Sequence, residues 1–193
     1  MPKIYSEEKR QEIREQIMQM GLELIKQHGM KKMSIEQITK KVGIAKGTFY
    51  NFFDSKEMLV YELGNVYQEK INSKLEKNIQ SKGYVDRENL FELYVDIILK
   101  DEDNVNRFLT REDLQIFIMR LPSDCVRKNT DIKGEMERIL HFVNGKKEEY
   151  DLDAIMNWIQ VMNITIENKD ILVEKGIEKI IHRIIDNMLD EIF

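Results

Sequence analysis

The chain has 193 residues, one cysteine (Cys125), two prolines and a formal charge of −5. A lone cysteine excludes an internal disulfide and suits a reducing compartment. No apolar run approaches the ~20 residues a membrane span needs, and the opening MPKIYSEEKR lacks the apolar core of a secretory signal, so the expected setting is cytoplasmic, with no membrane partner. Net acidity argues against indiscriminate nucleic-acid binding, yet the charge is uneven. Residues 1–56 hold eleven Lys/Arg against seven Asp/Glu, whereas the remainder holds nineteen against twenty-eight. The basic part is where a phosphate backbone would find complementary charge.

Apolar residues recur at helical spacing without strand-like alternation, so the expected fold class is all-α. A first helix is predicted from Ser6 to about His28, with Ile13, Ile17, Met20 and Leu24 on its buried stripe and Gly29 as its stop. Lys31 and Lys32 follow in a loop. Ser34 then begins an S-x-x-Q capping box with Gln37, and Ile35, Ile38 and Val42 lie on one face of a second helix that Gly43 terminates. Ile44 is expected to tuck into the turn. A third helix is predicted from about Ala45 to Phe53, with Phe49, Phe52 and Phe53 on one side and Lys46, Gly47, Tyr50 and Asn51 on the other. A core hairpin would also show a helix–glycine–helix pattern with three aromatics. The outward side distinguishes the two readings: Lys46 and Asn51 suit base edges in a major groove, Thr48 and Tyr50 suit phosphate oxygens, and Gly47 lets the backbone approach closely.

The segment SIEQITKKVGIAKGTFYNFFDSKEML resembles the N-terminal DNA-binding domain of the TetR/AcrR family of bacterial transcriptional regulators. The resemblance spans about residues 6 to 60. It implies that the helix after the turn enters the major groove, with Ser34, Lys46, Gly47, Thr48, Tyr50, Asn51 and Lys56 at the DNA. Lys56 also lies at a helix start, where the dipole favours an anion. Many relatives have His or Tyr where Phe52 stands, and a phenyl ring cannot donate to phosphate, so Phe52 is not counted as a contact. The family architecture implied is an N-terminal three-helix bundle, 1–56, joined by a long helix over about 55–82 to a helical effector-binding and dimerisation domain, 57–193.

The long helix is expected to bury Leu59, Leu63, Val66, Ile71, Leu75 and Ile79 and to end at Gly83. Further helices are predicted near 86–100, 104–121, 123–144, 151–168 and 173–193. Phe91, Tyr94, Phe108, Phe117, Met119, Trp158 and Met162, with Met136 and Phe142, are apolar enough to line a cavity, although an aromatic or Met at helical spacing is core more often than pocket. The resemblance implies a small-molecule effector there, of unknown identity. The final helix carries apolar residues at eight positions from Ile177 to Ile192. With Ile155, Ile159, Met162 and Ile166 of the preceding helix, this stripe offers a four-helix homodimer interface through Ile155, Ile159, Ile166, Ile177, Ile181, Ile184 and Met188. Packing inside its own domain is the alternative use of the same stripe.

His28, His141 and His182 are scattered, with no metal-ligand spacing and no phosphate-cradling glycine loop, so neither an enzyme nor a cofactor or metal is expected. The function expected is a homodimeric repressor that binds a palindromic double-stranded DNA operator and is released by the effector. A helical adaptor of the same fold, acting through a protein partner, is the alternative.

Overall fold

The computed structural model describes residues 6–128 and 132–193. It is all-helical; among the described residues there is no strand, only an isolated bridge in which the Val85 N–H donates to the Phe142 carbonyl and the Asn144 N–H to the Val85 carbonyl. The first helix, α1 (Glu7–Lys32), begins on Ser6, whose hydroxyl accepts the Lys9 N–H at 3.3 Å. Ile13, Ile17 and Leu24 are buried as their spacing predicts, joined by Met18, Ile25 and Met30. At Gly29 the backbone leaves the helical path (φ 77°, ψ 163°), a conformation open to glycine alone at low cost, and one more turn follows before Met33.

Helices α2 (Ile35–Val42), α3 (Lys46–Phe49) and α4 (Lys56–Lys82) come next. The third is shorter than its sequence predicts. After one α-turn the chain tightens, with the Asn51 N–H donating to the Thr48 carbonyl and the Phe52 N–H to the Phe49 carbonyl. This winding turns the chain out of the bundle, so that Ser55 can cap α4 by accepting the Met58 N–H at 3.1 Å. At ~1.5 Å per residue α4 extends about 40 Å from this head into the body. Leu59, Leu63 and Leu75 face inward, but Val66 faces solvent and Tyr67 takes the interior place, because a stripe drifts around a helix of this length. Burial pushes the Tyr67 phenol up to about 12.

The remaining elements are α5 (Arg87–Val95), a π-turn over Asp96–Lys100, a 3-10 turn over Val105–Phe108, α6 (Arg111–Arg120), α7 (Ser123–Lys128), α8 (Ile132–His141), α9 (Leu152–Glu167) and α10 (Glu174–Ile192). The single helix predicted over 104–121 is divided at Leu109–Thr110. Thr110 and Asp113 form a reciprocal cap there, and that cap makes Thr110 a start rather than an interior position. Of the helix predicted over 123–144, the part at 129–131 lies outside the described residues, and α8 ends at His141 so that Val143 can meet Val85.

Buried apolar residues form two clusters. The first joins α1–α4 and takes in Val105, Leu109, Phe117 and Leu121 from the segment around α6. The second joins the far end of α4 with α5, α8, α9 and α10.

Candidate nucleic-acid interface

The reading head is built from its caps inward. The Ser34 hydroxyl accepts the Gln37 N–H at 3.2 Å while Gln37 Oε1 accepts the Ser34 N–H at 2.8 Å, the capping box its sequence announces. Ser34→Ala is expected to cost the fold about 1 kcal/mol, read as a lower midpoint in thermal or urea unfolding. At the other end of α2, Gly43 is left-handed (φ 77°, ψ 31°), and the N–H groups of Gly43 and Ile44 both donate to the Thr39 carbonyl. That glycine reverses the chain within two residues and sets the angle between α2 and α3. Ile38 is fully buried below the turn, with Ile35, Val42 and Ile44 packed around it.

Phe49 has no exposed surface and contacts Phe53, itself buried, with ring centroids 5.7 Å apart. Phe52 is half-buried, with the Arg10 guanidinium 5.3 Å from its ring centre. The inward side predicted for these aromatics is therefore the one observed. On the opposite side Lys46, Gly47 and Asn51 are exposed, Thr48 is half-buried, and the Tyr50 ring is 46% exposed, standing edge-on to Phe49. No intrachain bond engages the Lys46 ammonium or the Asn51 amide among the described contacts, so this short surface presents a cation, an amide and a phenol over a bare backbone.

Lys56 is placed differently from the others. Its Nζ donates to the carbonyl oxygens of Met30 at 3.0 Å and Met33 at 3.1 Å, with Lys31 at 3.5 Å, so its ammonium braces the loop between α1 and α2. The negative end of α1 provides these acceptors. The sequence gives no sign of this, because the carbonyls converge only once Gly29 has bent the chain. Lys31 and Lys32 are exposed beside Ser34, and the hydrogen bond that the Lys31 ammonium donates to the Glu112 carboxylate raises the lysine's pKa above its ordinary value.

The residues expected to line an effector cavity do not gather in one place. Phe91, Tyr94, Trp158 and Met162 lie in the body cluster, with Trp158 Nε1 donating to Glu191 at 3.3 Å. Phe108 and Phe117 instead pack with the head cluster. Met119 is 84% exposed, on the outer side of α6, since its neighbours Phe117 and Leu121 take the inward positions. Phe91 also borders a shallow cleft with Arg87, Glu88 and Asp186.

The expected dimer residues are largely consumed within the chain. Ile155, Ile159, Ile181, Ile184 and Met188 are buried where α9 packs on α10, and Ile166 and Ile177 are partly covered. The apolar side chains left outside on this pair are Val161, Ile164 and Ile180, with Ile171, Leu172 and Val173 in the connection. A periodic stripe on a helix cannot by itself tell which neighbour covers it, which is why the sequence pointed to the inner set. Among the described residues no group of three His, Cys, Asp or Glu could hold a metal ion, and no helix is long and apolar enough to cross a membrane.

Residues 17–63 match the model for the bacterial regulatory proteins of the tetR family. Two curated relatives from Bacillus subtilis are similar: the uncharacterized HTH-type transcriptional regulator YuxN, 29% identical over 140 residues (69% of this chain, 47% of the relative), and YvdT, with the same description, 48% identical over 46 residues (24% of each). The matched stretch thus spans less than half of either relative. Among solved structures, reduced NemR of E. coli superposes with a TM-score of 0.65 at 16% identity, covering 94% of this chain and 97% of that one. The fatty acid degradation regulator FadR of Bacillus halodurans superposes at 0.59, also at 16% identity, covering 97% of both. At that identity the likeness is one of fold, and it extends along the whole helical body. A capped helix-turn-helix with a polar outer side, a family match over that head and a shared fold behind it lead to one conclusion: residues 17–63 form a helix-turn-helix head similar to that of the tetR-family bacterial regulatory proteins, carried on an all-helical body of the same fold as NemR and FadR.

Proposed function

We propose that the protein is a homodimeric repressor that binds a palindromic DNA operator through Lys46, Gly47, Thr48, Tyr50 and Asn51 and is released when a small-molecule effector occupies its helical body. The observation that carries the operator contacts is the separation of sides on α3. Its Phe49 and the following Phe53 are buried, while on the polar side the Lys46 ammonium and the Asn51 amide stand exposed. Ser34 and the lysines beside it lie where phosphate contacts would flank the base contacts, and Lys56 enters as the brace of that surface. A pool of randomised duplexes is the direct test. A single palindromic sequence should emerge, with its affinity falling steeply as salt rises, since each phosphate contact releases counterions. Recovery of no sequence at low salt would favour the adaptor reading, in which the same fold serves a protein partner.

The working division is a head, 1–56, and a body, 57–193. Separate apolar clusters support it, and the sharing of Val105, Leu109, Phe117 and Leu121 with the head cluster gives the two units a common surface to move on. The effector site fits best among Phe91, Tyr94, Trp158 and Met162, which share the body cluster.

Dimerisation is proposed through the outer side of α9 and α10. Ile164 and Ile180, at 57% and 43% exposure, together with Val161 and Val173, form an apolar face that a second copy would cover by two-fold symmetry. Ile164→Glu with Ile180→Glu should leave helical content intact and convert a dimer into a monomer in sedimentation at micromolar concentration. Operator affinity should then fall by at least 100-fold as half-site avidity is lost. A dimer that persists in this variant would place the contact elsewhere.

A further inference from the structure

The first turn of α6 reaches across to the reading head through one buried carboxylate. Asp113 is 3% exposed. Its Oδ2 accepts the Thr110 N–H at 3.0 Å and the Thr110 hydroxyl at 2.9 Å, completing the cap of α6. Its Oδ1 accepts the backbone N–H of Lys31 at 2.9 Å, across 82 residues of sequence. The carbonyl at the other end of that same peptide unit, Met30 C=O, accepts from Lys56 Nζ at 3.0 Å. One peptide plane is thus held from both ends by opposite charges, an anion on its N–H and a cation on its C=O, and each bond polarises the other. Lys56 is the first residue of α4 and follows the reading turn directly.

We propose that Asp113 is a positioning residue for operator recognition, acting through the Met30–Lys31 peptide and Lys56 to fix the attitude of α2 and α3 on the duplex. The inference rests on the DNA-binding reading above. A cap needs only one carboxylate oxygen and could be satisfied by an exposed side chain; the second oxygen of Asp113 is spent on the head. Because a buried carboxylate that loses a donor is costly, α6 and the α1–α2 loop must move together or part abruptly. The neighbouring Lys31–Glu112 pair, 2.7 Å apart with both side chains 62% exposed, runs between the same elements but is open to solvent, and it serves as the control.

The test uses the full chain and the operator recovered from randomised duplexes. Asp113→Asn replaces an acceptor with an amide donor facing N–H and O–H groups. It should bind the operator at least tenfold more weakly, lose at least threefold of its preference between operators whose half-sites differ by one base pair in separation, and exchange the Lys31 amide proton at least tenfold faster. Glu112→Gln should stay within twofold on all three. If Asp113→Asn does not fold, Thr110→Ala removes the hydroxyl donor from Oδ2 while keeping the backbone N–H on it and the carboxylate itself; it should weaken operator binding at least threefold with faster Lys31 exchange. Unchanged spacing preference and Lys31 exchange in a folded variant would overturn the proposal and leave Asp113 as a cap only. A wild-type protein that selects no duplex would instead overturn the DNA reading, while the exchange measurement would still report on the contact.

Discussion

The double substitution Lys46→Ala, Tyr50→Ala should lower operator affinity by about 100-fold or more while leaving helical content, thermal midpoint and oligomeric state unchanged. Each contact to a base edge or phosphate is worth about 1–3 kcal/mol, so the loss of two removes about 2–6 kcal/mol. Lys46 opens α3 and Tyr50 caps its end, both on the outward side, and neither fills the core. The salt dependence should also become shallower, by about one unit of slope for the lost lysine, if its partner is a phosphate. A fluorescence-anisotropy titration at three salt concentrations reads both quantities. Binding that survives the pair would mean that α3 is not the reading element.

Phe49→Ala should have the opposite character, a loss of fold that carries binding with it. Phe49 is fully buried against Phe53 and lies directly beneath the reading side, and truncating a core phenylalanine costs about 3–5 kcal/mol. That is a large fraction of a typical domain stability of roughly 5–15 kcal/mol. The expected result is a lowered or split unfolding transition, with α2 and α3 melting before the body, whose separate cluster does not include Phe49. Hydrogen exchange should show protection lost across residues 35–53 and retained in α9 and α10. Uniform retention of protection would show that the head does not depend on this ring.

Local chemistry made most of the head legible. Ser34 and Gln37, Gly43, and the spacing of Phe49 and Phe53 each have one natural structural use, and all are found in it. Longer-range relations were harder to read. The carbonyl cage around Lys56 exists only because Gly29 folds the end of α1 back, and nothing in the sequence links Asp113, whose local cap makes Thr110 a helix start, to the Lys31 N–H 82 residues away. In the body, amphipathic spacing identified α9 and α10 but not which residues meet a neighbour, since Ile181 and Ile180 differ by a single position and face opposite ways. The apolar residues of α6 illustrate the same limit: Phe117 and Met119, two apart on one helix, end in the core and in solvent respectively.

The strict division of labour around α3 has an evolutionary corollary. Since the rings that secure this single turn contribute nothing to its outer surface, the residues at 46, 50 and 51 can be exchanged without disturbing the scaffold beneath them. A descendant could acquire a new outer surface through two or three codon changes and keep the helical body behind it intact.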